Sequence, residues 1–281
     1  MKDTVLQNDT IKEKGRTMER KTKRILVISD LHCGHHKGLT PPDWHWSTSD
    51  NPYRQSVCDF QRWSWDKYTD ILNRNKPFDI LFANGDMIDG KGDRSGGTEL
   101  LTTDRDEQAE MAAECIKPIG ARKKIMTYGT PYHTGASEDW ENVVAHKTKS
   151  QINAHAYADV NGVVISLKHK IGSSSVPHGK ATALLKQAVS NDEWCREYEE
   201  HPRATVFIRS HCHYYTAIDM GSSYFFRTPA LQGMGSKYGA RQCEGVVHWG
   251  AIIIEITPAG SLSWHKELTK LEGQPVETLI L

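Results

Sequence analysis

Five short apolar runs in this 281-residue chain each stop at a residue with chemistry to offer, and that recurrence constrains the fold more than any other feature. Residues 24–29 run into Asp30 and His32, residues 78–83 into Asn84, Gly85 and Asp86, and residues 124–128 into Gly129 and Thr130. Residues 163–168 run into His169, and residues 204–209 into Ser210, His211, Cys212 and His213. Short β-branched, apolar runs bounded by glycine or polar turns read as buried strands.

Helical patterns lie between them. Over residues 55–75, Val57, Phe60, Trp65, Tyr68, Ile71 and Leu72 recur near helical spacing and predict one buried stripe. Thr103 or Asp104 is placed to cap a second helix through about Cys115, with Glu107 as the capping-box partner of Asp104. Residues 180–200 read as a third helix, and residues 133–146 as the approach to another. Strands that alternate with helices imply an α/β fold, in which ligands bind beyond the carboxyl ends of the strands. The polar residues fall at those ends.

After residue 220 the pattern changes to short strands, at residues 224–226, 246–256 and 261–268. No repeat or low-complexity tract divides the chain, so residues 24–281 are expected to form one domain. Ahead of it, residues 1–23 carry Lys12, Lys14, Arg16, Arg20, Lys21 and Lys23 without apolar periodicity. They read as a basic, flexible leader, the alternative being a nucleic-acid-binding arm.

Composition removes other classes. The 38% hydrophobic content and 8 Trp describe a folded protein rather than a disordered one. No apolar run is long enough for a membrane span, and the polar N-terminus does not resemble a secretory signal, so the cytoplasm is the expected compartment. The six cysteines are scattered, with no C-x-x-C pair, and read as reduced thiols. With 35 Lys+Arg against 35 Asp+Glu, no whole-molecule field attracts a polyanion. Anion binding must then come from a local patch or from bound cations.

The strand-end residues supply the donors for such cations. Asp30 and His32, Asp86, His169, and His211 and His213 form a mixed carboxylate and imidazole set. That set suits zinc, manganese or iron better than calcium, which prefers oxygen alone. Two divalent cations (Mn²⁺, Zn²⁺ or Fe²⁺) are the expected filling.

The order of these motifs resembles that of the calcineurin-like metallophosphoesterases. The family's D-x-H, G-D-x-x-D, G-N-H, H and G-H-x-H elements are matched by Asp30 and His32, Gly85 with Asp86 and Asp89, Gly129 with Thr130, His169, and Ser210 with His211 and His213. The similarity spans about residues 24–256. It is especially close to phage and prophage members, in which a G-T-x-x-H-x-G segment and a T-P-A-L-Q stretch occur; here they run from Gly129 through His133 to Gly135, and from Thr228 to Gln232.

The resemblance implies two mixed β-sheets packed face to face and flanked by helices, a four-layer α/β sandwich. It implies that Asp30, His32 and His213 hold one metal, that Asp86 bridges two, and that His169 and His211 hold the second. It also implies hydrolysis of a phosphate ester by a metal-activated water. Two positions depart from the pattern: Thr130 stands where the family has an asparagine ligand, and Pro131 where it has a histidine that assists the leaving group. Thr130 is therefore taken as a substrate-binding residue and a weak donor. His133, two residues on, is expected to substitute as general acid or as the missing ligand.

The expected substrate is a phosphodiester, a nucleic acid or a nucleotide. A phosphomonoesterase and a weakened, single-metal DNA-binding module are the alternatives. Asp89 is expected to support a ligand histidine, Asp139 or Glu141 to act from behind the ligands, and His35 and His36 to be surface residues. Trp44 and Trp46 are expected to pin a loop, and Trp63 and Trp65 to bury the first helix, rather than to stack nucleobases.

Overall fold

A computed structural model describes residues 10–13, 16–19, 21–93, 95–135, 139–172, 174, 176, 179–234 and 246–271. In chain order its strands are β1 (Thr10–Glu13), β2 (Arg16–Glu19), β3 (Lys23–Ile28), β4 (Ile80–Asn84), β5 (Lys123–Thr127), β6 (Gln151–Asn153) and β7 (Ala156–Val160). They continue with β8 (Val163–Leu167), β9 (Val206–Arg209), β10 (Thr216–Asp219), β11 (Tyr224–Arg227), β12 (Trp249–Ile256) and β13 (Leu262–Thr269). The α-helices are α1 (Pro52–Asn75), α2 (Arg105–Ile116), α3 (Pro131–Thr134), α4 (Glu141–Thr148) and α5 (Gly179–Glu197).

Two mixed sheets form the centre. One has the order β13-β12-β3-β4-β5-β6, with β3 to β6 parallel and β12 antiparallel to β3. The other has the order β10-β11-β9-β8-β7, in which β8, β9 and β11 are parallel. The two-residue periodicity of a strand explains how one run of apolar residues serves two layers. Ile25 and Val27 of β3, Ile80 and Phe82 of β4, and Ile252 and Ile254 of β12 meet Val206, Ile208 and Phe226 between the sheets. Leu26, Ile28, Leu81, Ala83 and Ile253 point the other way, onto Tyr68, Ile71 and Leu72 of α1, Met111 and Ile116 of α2, and Val144 of α4. On the far side, Phe207 and Phe225 pack under Leu184 of α5. The layers are helix, sheet, sheet, helix, as the resemblance implied.

The helix ends follow local chemistry. Asn51 caps α1 by accepting the Arg54 N–H, with Pro52 in the first turn. Asp104 caps α2 through the N–H groups of Asp106 and Glu107, whereas the Glu107 carboxylate accepts from Trp44 Nε1. The buried stripe of α1 runs through Val57, Gln61, Ser64, Tyr68, Ile71 and Leu72, so two polar residues replace Phe60 and Trp65 at its centre. Gln61 is there because its Oε1 accepts the Trp46 N–H and pins the loop before the helix. Trp63 and Trp65 pack on the core, as expected, and Trp44, expected to pin a loop, packs there too.

Two features differ from the sequence reading. His35 and His36 are buried, each 4% exposed, rather than on the surface. His35 Nδ1 accepts the Lys37 N–H, and His36 sits edge-on to Trp46 with its Nδ1 2.9 Å from the Tyr53 hydroxyl. About half of the expected leader lies outside the described residues; within it, β1 and β2 pair antiparallel, Ile11 opposite Met18. That pairing lacked a strand signal because only Ile11 and Met18 of its eight residues are apolar.

Candidate metal centre

The parallel strands deliver their carboxyl ends to one place. Asp30 and His32 follow β3, Asp86 follows β4, Thr130 follows β5, His169 follows β8, and His211 and His213 follow β9. Backbone hydrogen bonds stitch these loops together. The Asp30 N–H donates to Gly85 O and the His32 N–H to Asp86 O, both at 3.0 Å, and the Ser210 N–H donates to His169 O at 2.8 Å.

The turns are conformationally costly. Asp30 (φ 51°), His32 (47°), Asp86 (53°), His211 (74°) and His213 (55°) all lie in the left-handed region. A non-glycine residue pays about 1–2 kcal/mol there. Five such residues at one locus mean that the fold aims their side chains at a common centre at the expense of stability, a pattern associated with functional sites. Two glycines make room. A Cβ on Gly85, at φ 80°, would lie 2.5 Å from the His169 ring. A Cβ on Gly129 would lie 2.0 Å from Asp86 Oδ1.

Donor atoms from three groups of residues lie within 4.8 Å of one another: Asp30, His32 and His213; Asp86, His169 and His211; and His32, Asp86 and His133. The six residues expected to hold metal thus come together, and His133 joins them. Asp30 Oδ1 lies 3.2 Å from His213 Nε2, and His32 Nε2 lies 3.3 Å from His213 Nε2. His169 Nε2 lies 2.9 Å from Asp86 Oδ2, and His211 Nδ1 3.9 Å from the same oxygen.

These atoms fit a cation better than they fit one another. Asp30 Oδ1 and His169 Nε2 are buried without a hydrogen-bond partner. The short His169–Asp86 approach is therefore close but not aligned as a hydrogen bond, as expected when both atoms point toward a third position. The outer contacts fix the tautomers. His32 Nδ1 lies 2.8 Å from Asp89 Oδ1, His169 Nδ1 2.7 Å from Asn84 O, and His133 Nδ1 2.7 Å from Asp89 O. A carboxylate or carbonyl oxygen accepts, so each Nδ1 carries a proton and each Nε2 is the ring nitrogen that faces the centre.

The electrostatics agree. Burial disfavours the Asp30 charge, but the His213 and His169 imidazoles outweigh it and bring the carboxyl down to about 2. Asp86 is likewise buried, and His169 holds it well below the carboxylate range. In return, burial opposes protonation of His169, while Asp86 and then Asp30 draw its imidazole up to about 10. Two buried carboxylates that pull a proton onto a neighbouring imidazole form a site that calls for positive charge.

Thr130 is buried and turned toward Asp86. Its N–H donates to Asp86 Oδ1 at 2.7 Å, and its hydroxyl lies 3.3 Å from the same oxygen. The expectation that it contacts substrate is thus set beside a geometry in which it holds the carboxylate. Glu141, fully buried on α4, accepts the Met87 N–H at 2.7 Å and the Gly129 N–H at 2.6 Å. Burial and then the Asp86 charge push its carboxyl up to about 8, against the pull of those two N–H groups. It clamps the Asp86 turn to the Gly129 turn. Nothing in its local sequence distinguishes it from Asp139, and only the packing selects it. The sequence also gave no weight to the Asn84 carbonyl, because a backbone acceptor leaves no trace in residue identity.

The chain matches the family model for calcineurin-like phosphoesterases over residues 23–243. No curated protein sequence matches it. Similar solved structures include vacuolar protein sorting 29 from Cryptosporidium parvum, 10% identical, covering 89% of this chain and 100% of that one, with a TM-score of 0.46. Vps29 of Entamoeba histolytica in complex with zinc is 15% identical, covering 87% and 98%, with a TM-score of 0.42. A novel archaeal phosphodiesterase is 9% identical, covering 87% and 99%, with a TM-score of 0.45.

Proposed function

The chain belongs to the calcineurin-like phosphoesterase family, and from that premise we propose that it hydrolyses phosphodiesters, nucleic acid or nucleotide, with two divalent cations held by its strand-end residues. The observation that carries this reading is the pairing of two Asp/His groups around buried, unpartnered donor atoms, Asp30 Oδ1 and His169 Nε2.

In this reading Asp30, His32 and His213 would hold one cation, and Asp86, His169 and His211 would hold the other. Manganese, zinc or iron suits the donor set. Bound cations supply an activated water and neutralise charge building on the phosphoryl oxygens. The protein does the rest. Asp89 fixes His32 in the tautomer that presents Nε2, and the Asn84 carbonyl does the same for His169. The Thr130 N–H holds Asp86 Oδ1 in place, leaving Oδ2 on the side of His169 and His211. His133, one-sixth exposed, is anchored through Nδ1 to the Asp89 carbonyl, which leaves Nε2 as its reactive nitrogen. Protonated there, it is the donor to the leaving alkoxide; unprotonated, it is a further ligand.

Thr130→Asn and His133→Ala separate those roles. As general acid, His133→Ala lowers kcat most for substrates with poor leaving groups and leaves metal content unchanged. As ligand, it lowers metal content, and Thr130→Asn restores it. The resemblance to phage and prophage members and a cytoplasmic setting belong to the same reading; no described helix is long and apolar enough to cross a membrane.

The deciding assay pairs an aryl phosphodiester with an aryl phosphomonoester, with Mn²⁺ or Zn²⁺ restored after chelation. Faster diester turnover, abolished by Asp86→Ala and by His213→Ala, is expected. Faster monoester turnover makes the protein a phosphatase. Turnover retained in both variants refutes the site.

A further inference from the structure

Outside the metal centre, the largest anomaly is positive charge buried without a carboxylate. Arg209 closes β9 and Arg227 closes β11; the two strands are parallel neighbours with these residues in register. Both side chains are buried, 1% and 0% exposed, on the face of the sheet that α5 covers. Among the described residues neither guanidinium has an acidic partner: every acceptor either one finds is neutral. Burial alone depresses Arg209, to about 10.

The two arginines differ in how well they are satisfied. Arg209 places Nε on Gln187 Oε1 and its two terminal nitrogens on Ser166 O and Oγ, so it reads as a pin between sheet and helix. Arg227 donates to the Tyr214 hydroxyl and to Lys180 O, but its Nε is buried without a partner. A guanidinium left in that state is destabilising unless a counter-charge arrives.

The surroundings are suited to an anion. The Arg227 guanidinium and the Lys180 ammonium approach the same Tyr214 ring, at 4.5 and 5.3 Å from its centroid. Lys180 stands in the first turn of the 19-residue α5, which carries no acidic residue there, so the positive end of the helix dipole adds to the cluster. Lys180 and Tyr214 are partly exposed, and both touch Arg227. The cluster adjoins the metal centre through the chain itself. Tyr214 follows His213, and Thr228, which follows Arg227, has its hydroxyl 2.7 Å from that of Ser29, the residue before Asp30.

We propose that Arg227, Lys180 and the start of α5 form a subsite for a second phosphoryl group of the substrate, beside the one that is hydrolysed. A planar guanidinium and an ammonium over one ring match the oxygens of a phosphate. The substrate class is then a diester that carries a neighbouring phosphate, as a polynucleotide strand or a phosphorylated nucleotide ester does. This rests on the phosphoesterase reading, and the test has two arms so that the two can fail separately.

In the first arm, inorganic phosphate is titrated calorimetrically into the full-length chain with chelator present throughout. The wild type binds, and Lys180→Ala and Arg227→Lys each weaken binding about tenfold, the value of one lost charge-assisted hydrogen bond. In the second arm, with Mn²⁺ restored, the p-nitrophenyl ester of thymidine 5′-phosphate is compared with and without a 3′-phosphate. The wild type prefers the 3′-phosphorylated ester about tenfold through KM, and both substitutions bring that ratio to about one. Lys180→Ala, at a partly exposed helix position, keeps the test valid if Arg227→Lys does not fold. Absence of phosphate binding, binding that neither substitution weakens, or a wild-type ratio near one overturns the subsite. Variant-sensitive phosphate binding with no ester hydrolysis overturns the phosphoesterase reading and leaves an anion site standing.

Discussion

Asp89→Asn tests how the ligand residues are held without touching any of them. Asp89 is 5% exposed, and its Oδ1 accepts from His32 Nδ1 at 2.8 Å. Burial disfavours its charge, yet the His32 hydrogen bond and the His35 and His133 imidazoles lower its carboxyl from 3.8 to about 2. A depression of that size corresponds to about 2 kcal/mol at neutral pH. Because the folded value is depressed, that stability is present above about pH 4 and is lost as the pH falls through about 2. In metal-free protein, the gap in unfolding free energy between wild type and Asp89→Asn is therefore expected to be about 2 kcal/mol at pH 7 and to close as the pH falls toward 2. The second effect falls on metal. An amide is a weaker acceptor for the His32 N–H, and turned over it donates and moves the imidazole proton to Nε2, where a ligand lone pair is needed. Loss of such a partner weakens metal affinity about 10- to 100-fold. Competition with a chromophoric chelator reads this directly: one of the two equivalents weakens by that factor and the other does not. Unchanged affinity for both equivalents refutes the role given to His32.

Gly85→Ala is expected to cost about 2–4 kcal/mol, from its left-handed backbone and from the collision of Cβ with the His169 ring, lowering the melting temperature roughly 5–10 °C. Gly96→Ala is the control, since Gly96 has a similar φ of 60° but open space around it, and it should lose only the backbone part, about 1–2 kcal/mol; equal losses would remove the packing argument. His35 is held neutral by burial, with a pKa lowered from 6.5 to about 4, so its unfolded form binds the proton first. Metal-free protein should accordingly lose up to about 3 kcal/mol as the pH falls from 6.5 to 4, and His35→Gln should flatten that slope in chemical denaturation curves.

The strands that bear the site were legible because burial on both faces forces continuous apolar runs, and because each run stops where a side chain must turn into the centre. β3, β4, β5, β8 and β9 all end within a few residues of the expected positions. The ligand set was legible through residue type and order. Residues that act through others were not. Glu141 reaches the backbone of two separate turns, and the Asn84 carbonyl orients His169 through an atom that every residue possesses. His35 and His36 looked like surface residues because two adjacent polar side chains have no apolar periodicity, yet Lys37, Tyr53 and Trp46 cover them. Arg209 and Arg227 did carry a signal: each is a charge at the end of an otherwise apolar strand, in phase with Phe207 and Phe225. Its meaning depended on which helix covered that face.

Whether two cations shared by these strand ends drive hydrolysis is decided by titrating Mn²⁺ into chelator-stripped protein while following bound metal and aryl phosphodiester turnover together. Two bound equivalents are expected, with turnover that appears with the second, and at most one tightly bound equivalent without turnover in Asp86→Ala. Turnover in the stripped protein, or two tight equivalents and full activity in Asp86→Ala, contradicts hydrolysis by two cations.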